Sequence, residues 1–141
     1  MSPKFAIPIL SGLPEHDGLL PKWMAFIAVV SVFNTIQNFL TLSLTRRIYS
    51  GQPQLVNALQ SRTFGIWTLT SGLIRLYTAY NIHNQALYQL AICSYTIALV
   101  HFISELLIFK SSRLGSGLIS PLMVASTSLV WMFRQYDFYV G

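Results

Sequence analysis

RTFGIWTLTSGLIRLYTAYNIHNQALYQLAICSYTIALVHFISELLIF, residues 62–109, decides the fold. It reads as two apolar runs, 63–82 and 86–109, separated by the short polar turn His83-Asn84-Gln85. Each run has about the 20 residues that a helix needs to cross a hydrocarbon core. So short a turn makes the two helices antiparallel neighbours. Three ionisable residues interrupt them, Arg75 in the first run and His101 and Glu105 in the second. Ionisable groups at membrane depth are costly, so they face a bundle interior or mark function.

Composition points the same way. The 141 residues are 53% hydrophobic and 9% charged, against roughly 25% charged in an average soluble domain. The formal net charge of +5 comes mostly from Lys and Arg flanking apolar runs, where they fix topology and meet anionic lipid head groups. Nucleic acid is therefore not expected as a partner. The single cysteine, Cys93, excludes a disulfide framework and a thiolate metal site. No basic region followed by a long apolar stretch opens the chain, so no cleaved signal peptide is expected.

The reading is all-α, a polytopic membrane bundle of four transmembrane helices at 23–44, 63–82, 86–109 and 118–138, behind an irregular N-terminal tail, 1–22. Pro3, Pro8, Pro14 and Pro21 forbid a long helix in that tail. In the first span Ser31, Asn34, Gln37, Asn38 and Thr41 recur every three or four residues and share a face. Amides turned to lipid would go unsatisfied, so this face must meet other helices. The second span carries a small or polar stripe at Gly65, Thr68, Ser71, Gly72, Arg75 and Thr78, and the third repeats it with Ser94, Ala98, His101 and Glu105. Ser120-Pro121 reads as a cap and first helical residue of the fourth span.

The connection 45–62 is the longest between spans. A short interfacial helix is expected from Pro53, with Leu55, Val56 and Leu59 on one face. As the largest ordered piece outside the membrane, this loop is the candidate docking surface, through Tyr49, Gly51, Pro53, Leu55, Val56, Asn57 and Leu59. The loops after the first and third spans hold Arg46, Arg47, Arg62, Lys110 and Arg113, against Lys4, Lys22 and Arg134 on the other side. The positive-inside rule then puts loops 45–62 and 110–117 in the cytosol.

In a tight antiparallel hairpin, residues at equal depth have numbers summing to about twice the turn's midpoint, here about 168. Arg75 falls level with Cys93 and Ser94, His101 with Trp67 and Thr68, and Glu105 with Phe64, beside Arg62. Arg75 and Glu105 lie about 15–18 Å apart along the axis and cannot pair. An interfacial ion pair is expected between Arg62 and Glu105. Arg75 is expected among Ser94, Tyr95 and the amide face near Asn34. The candidate intramembrane polar contacts are thus Asn34, Gln37, Asn38, Arg75, His101 and Glu105.

His101 and Glu105 share a helical face at i and i+4, compatible with metal ligation or an acid/base pair. The other histidines, His16 and His83, lie outside the spans, Asp17 and Asp137 lie near the ends, and Gly115-Ser116-Gly117 follows no strand. No catalytic residue, cofactor or metal is assigned.

The run Tyr49-x-Gly51-x-Pro53-x-Leu55-Val56-Asn57-x-Leu59-Gln60-x-Arg62-Thr63-Phe64-Gly65-Ile66-Trp67-Thr68 resembles the signature of the ergosterol biosynthetic protein 28 family. Ile82-His83-Asn84, His101-Phe102-x-Ser104-Glu105 and Pro121 to Ser126 are similar to it as well, and Asn34-Thr35-Ile36-Gln37-Asn38 to its fungal branch. The resemblance implies a non-enzymatic scaffold of the endoplasmic-reticulum membrane. Its implied partners are the sterol C-4 methyl oxidase, the sterol-4-alpha-carboxylate 3-dehydrogenase (decarboxylating) and the 3-keto-steroid reductase, with the sterol 24-methyltransferase a further neighbour. Membrane lipid surrounds it, and a second copy of the chain is admitted as a homo-oligomeric partner. Two other readings stand beside it. One is a small sterol-binding or sterol-isomerising enzyme using Glu105 and His101. The other is a transporter lined by the same polar faces.

Overall fold

The computed structural model describes residues 6–141, and they are helical throughout their ordered elements. A 3-10 turn at Pro8–Ser11 precedes α1 (Leu20–Leu40) and α2 (Ser43–Ile48). A second 3-10 turn, Pro53–Leu55, leads into α3 (Ala58–Tyr80), α4 (Gln85–Leu107), α5 (Ser116–Arg134) and α6 (Tyr136–Tyr139). By length and composition α1, α4 and α5 are apolar enough to cross a membrane. At 23 residues α3 equals α4 in length, but it is not among those three.

Local chemistry sets the ends. Pro21 lies in the first turn of α1, where a missing N–H costs nothing. Extended Thr41 closes the helix, and its hydroxyl accepts the Ser43 N–H at 3.2 Å. Asn57 and Asn84 cap α3 and α4, their side-chain oxygens accepting the N–H of Gln60 at 2.9 Å and of Leu87 at 3.0 Å.

The first apolar run therefore ends at Leu40 rather than 44. Hydropathy continues through Leu42 and Leu44, but the extended Thr41 turns the chain into α2. The helix expected from Pro53 is a single 3-10 turn, and Leu59 and Gln60 belong to the first turn of α3. Val56 is buried while Leu55 and Leu59 point outward, so the three share no face. Leu20 to Lys22 belong to α1 rather than to the tail, whose first five residues lie outside the described ones. Pro121 sits inside α5, not at its start. Its missing N–H leaves the Gly117 carbonyl without the usual helical donor, and Gly117 is where α5 runs against α2. A Cβ there would strike the Arg47 backbone.

The most extensive packing joins α1 to α3, and α4 packs on both α3 and α5. Small residues set the α1–α3 approach: a Cβ on Gly72 would lie 2.9 Å from the Ser31 Cβ, and one on Gly65 3.2 Å from the Asn38 Cβ. Outside, α1 exposes Phe26, Val29, Phe33, Ile36 and Phe39. Small and polar inside with large and apolar outside inverts the soluble pattern and suits lipid.

Two apolar clusters form the core. One gathers Leu20, Met24, Ala79, Tyr88, Tyr95, Met132 and Tyr139. The other gathers Ile48, Tyr49, Val56, Ala98, Phe102 and Leu118 near the α2–α3 connection.

Candidate functional site

The α2–α3 connection is clamped to the bundle by one aromatic anchor. Tyr49 is buried and makes edge contacts with Phe64 at 5.7 Å and His101 at 5.9 Å between centroids. Its hydroxyl is 2.7 Å from His101 Nε2. Burial, and secondarily the Glu105 carboxylate, push the Tyr49 hydroxyl well above the ordinary tyrosine range. It therefore stays neutral and shares one hydrogen bond with Nε2, while Nδ1 on the other side of the ring lies 4.0 Å from Glu105 Oε1. Ser111 donates its hydroxyl to Glu105 Oε2. The backbone completes the clamp: the N–H groups of Gly51 and Gln52 both bond to the Ser111 carbonyl, at 2.9 and 3.2 Å. A Cβ on Gly51 would press on the Lys110 carbonyl oxygen at 2.5 Å, so this approach needs glycine.

Carboxylate, imidazole and hydroxyl thus lie in series, the order of a nucleophilic relay. The chemistry runs against that use. An activated nucleophile needs its pKa lowered or a base hydrogen-bonded to a third group. Here the hydroxyl's pKa is raised, and the carboxylate stands beyond hydrogen-bond distance of the imidazole. Among the described residues no group of three or more His, Cys, Asp or Glu could hold a metal ion.

A second polar knot ties α1, α2 and α3. The Asn38 carboxamide oxygen lies 2.8 Å from Thr45 Oγ1, Thr45 Oγ1 lies 2.9 Å from Ser61 Oγ, and Ser61 donates to the Asn38 carbonyl at 2.7 Å. All three side chains are buried. Two hydroxyl protons cannot fill three contacts while Asn38 Nδ2 stands without a partner. Turning the carboxamide over resolves the count, since its N and O are interchangeable in shape. Nδ2 then donates to Thr45, Thr45 to Ser61, and Ser61 to the Asn38 carbonyl. One turn along, the Thr35 hydroxyl shares its proton between the Ser31 carbonyl at 2.8 Å and the Gly65 carbonyl of α3 at 3.1 Å, extending the seam.

Arg75 lies between the two apolar clusters. Its Nε and Nη2 donate to the Ser94 hydroxyl at 3.2 Å and carbonyl at 3.4 Å, and its Cζ stands 4.0 Å from the Tyr95 ring centroid. It borders a cavity of about 350 Å³ walled by Asn34 and Ser31 of α1, Trp67 and Ser71 of α3, and Pro121 and Ala125 of α5. Neither His101 nor Glu105 lines it; His101 borders a separate groove with Tyr49, Leu59 and Trp67.

The residues singled out from sequence therefore divide. Arg75 meets Ser94 and Tyr95, at the depth the hairpin register gives, and His101 meets Trp67 at 5.2 Å between centroids. Asn34 shares the cavity with Arg75 without a hydrogen bond to it, and Gln37 is half-buried. The Arg62–Glu105 ion pair does not form. Arg62 is exposed, the residue turned inward at that point is Ser61, and Glu105 is taken by Ser111. Of the loop residues, Tyr49 and Val56 face inward, Asn57 caps α3, and Pro53, Leu55 and Leu59 face outward.

Sequence reasoning missed Thr45, Ser61 and Ser111, hydroxyls that carry no periodic signal. It also missed the cap at the opposite end. There His83 Nδ1 lies 2.5 Å from the Tyr139 carbonyl, His16 packs its tilted ring with centroids 4.9 Å from those of both His83 and Tyr139, and Tyr88 donates to the Met132 carbonyl at 2.7 Å.

A family model described as "Erg28 like protein" matches residues 20–130. The chain is 48% identical over 126 residues to ergosterol biosynthetic protein 28 of Candida albicans, covering 89% of this chain and 91% of the relative. It is 47% identical over 133 residues to that of Saccharomyces cerevisiae, covering 94% and 88%. With the human homolog it shares 42% over 115 residues, covering 81% and 82%. No solved structure matches.

Proposed function

The chain belongs to the Erg28-like family, and from that premise we propose that it serves ergosterol biosynthesis as a non-catalytic tether in the endoplasmic-reticulum membrane. It holds the sterol C-4 methyl oxidase, the decarboxylating 3-dehydrogenase and the 3-keto-steroid reductase side by side, with the sterol 24-methyltransferase adjacent. The relatives' name, ergosterol biosynthetic protein, supports the pathway. Sterols are insoluble, and holding successive active sites together raises each intermediate's effective concentration without new chemistry.

One observation carries the non-catalytic reading. The acid/base pair that an enzyme would use, His101 and Glu105, is spent on Tyr49 and Ser111, away from the cavity large enough for an apolar substrate. What remains free at that end is surface: Leu55, Leu59, Leu107, Ile108 and Phe109 are exposed beside Arg46, Arg62 and Lys110.

In this reading α3 crosses the membrane as a fourth span. Its hydropathy is lowered by Ser61, Ser71, Arg75 and Thr78, which are buried, while Ile66 and Leu73 face outward. Loops 45–62 and 110–117 face the cytosol, where the basic residues concentrate.

The tether is tested by purifying the tagged chain from native membranes and assaying it alone. Co-purification of C-4 demethylation enzymes, with no sterol turned over by the isolated chain, is expected. Turnover of a sterol by the isolated chain, lost in Glu105→Gln, overturns it.

A further inference from the structure

Arg75 is a buried cation with no carboxylate partner among the described residues. It is 7% exposed. The chain has four acidic residues. Glu105 is bound to Ser111, and the other three, Glu15, Asp17 and Asp137, lie outside α1, α3, α4 and α5. Among the described residues the basic side chain within 4.0 Å of a carboxylate is His101, beside Glu105, and not Arg75. Arg75 has instead a hydroxyl, a carbonyl and an aromatic face, and its Nη1 has no protein acceptor among the described residues. A guanidinium in low dielectric without a counter-ion is expensive, and partners that are only dipoles offset that cost incompletely.

The cavity beside it has the shape of an answer. At about 350 Å³ it lies within the range of small-molecule pockets, and it is roughly twice the ~150 Å³ apolar cavity that admits benzene. Along α3 its lining runs from Phe64 to Arg75, about 16 Å of helix. Most of the wall is apolar, including Ile27, Val30, Ile48, Trp67, Phe102 and Val124. Ser71, Ser31 and Asn34 line it on the α1 and α3 side with Arg75, Asn34 being half-buried and without a side-chain hydrogen bond among the described residues. The exposed Arg47 and Ser116 line it on the α2–α5 side, so Arg75 is its buried cation. α1 and α5 meet near one end through Trp23 and Ser128 at 2.9 Å. Further along, Val30 of α1 and Ser120 of α5 both line the cavity and are exposed, so it is open between these two helices.

We infer that this cavity binds an amphiphile bearing a single carboxylate, its head group paired with Arg75 and hydrogen-bonded by Asn34, its apolar body lying toward Trp67 and Phe102. The inference goes beyond the tethering role and stands whether or not that role holds. Carboxylate matches guanidinium two bonds to two, whereas a neutral alcohol would leave the charge uncompensated.

The test uses the full chain in neutral-lipid nanodiscs with radiolabelled palmitate and lithocholate, each compared with its methyl ester. Binding of an acid about tenfold or more tighter than its ester, with that preference abolished in Arg75→Gln and retained in Arg75→Lys, is expected. Which acid binds tighter tells a flexible chain from a fused-ring body, and either supports the site. Ala125→Phe should exclude both acids by filling the cavity while Arg75 is kept, with helix content verified by circular dichroism. Equal binding of acid and ester makes the cavity a neutral apolar site and overturns the inference. So does an acid preference that survives in folded Arg75→Gln, or no binding of either acid to the folded wild-type chain.

Discussion

Tyr49 Oη lies 2.7 Å from His101 Nε2 across 52 positions of sequence, so the connection between α2 and α3 is fastened to the body of α4. A loop that would otherwise be mobile becomes a fixed surface carrying outward Leu55 and Leu59. Pre-ordering of this kind lowers the entropy lost when a partner docks.

Tyr49→Phe keeps the ring contacts and removes the hydrogen bond, at a cost of about 1 kcal/mol. The clamp should then open roughly fivefold more often. Amide exchange at Gly51 and Gln52, whose N–H groups bond to Ser111, should quicken by that factor while α4 is unchanged.

The same anchor gives an alkaline limit. The hydroxyl pKa is raised in the folded state by burial and by Glu105, so the neutral anchor contributes its full stability below the ordinary tyrosine value of about 10. That contribution falls as pH climbs above it toward the folded value. Wild-type chain should therefore lose stability above pH ~10 more steeply than Tyr49→Phe, measured by denaturant unfolding in detergent.

Asn38 is the hub of the α1–α2–α3 knot. Asn38→Leu strands the buried hydroxyls of Thr45 and Ser61 and should cost about 1–3 kcal/mol. Adding Thr45→Val removes a stranded group, so the double variant should be less destabilised than the sum of the singles. Strict additivity would show that the three side chains do not act as one network.

Gly117→Ala sets two effects against each other. Alanine improves helix propensity by about 0.8–1 kcal/mol, but its Cβ meets the Arg47 backbone, which only a shift of α2 can relieve. Overpacking of this kind costs about 1–3 kcal/mol, so net destabilisation is expected in thermal unfolding.

Much of the hairpin was legible because its register follows from one short turn. Counting from it brings Arg75 to Ser94 and Trp67 to His101. Arg62 and Glu105 show where counting stops. Depth places them side by side, but rotation about α3 turns Ser61 inward and Arg62 outward, and Ser111 arrives from a loop whose path no periodicity encodes. Arg62→Glu should accordingly change stability by less than roughly 0.5 kcal/mol. Glu105→Ala, which strands Ser111, should cost about 1.5–3 kcal/mol, seen in the same unfolding curves. The three-way knot and the cavity were illegible for a related reason: each assembles single side chains from three or more elements.

A photo-crosslinking residue at Leu55 or Leu59 in native membranes tests the central claim most directly. The tether predicts that one or more enzymes of sterol C-4 demethylation are captured from these outward positions, and not from Phe33 on the lipid face of α1. Efficient labelling at both loop positions that captures lipid and no sterol enzyme would contradict it.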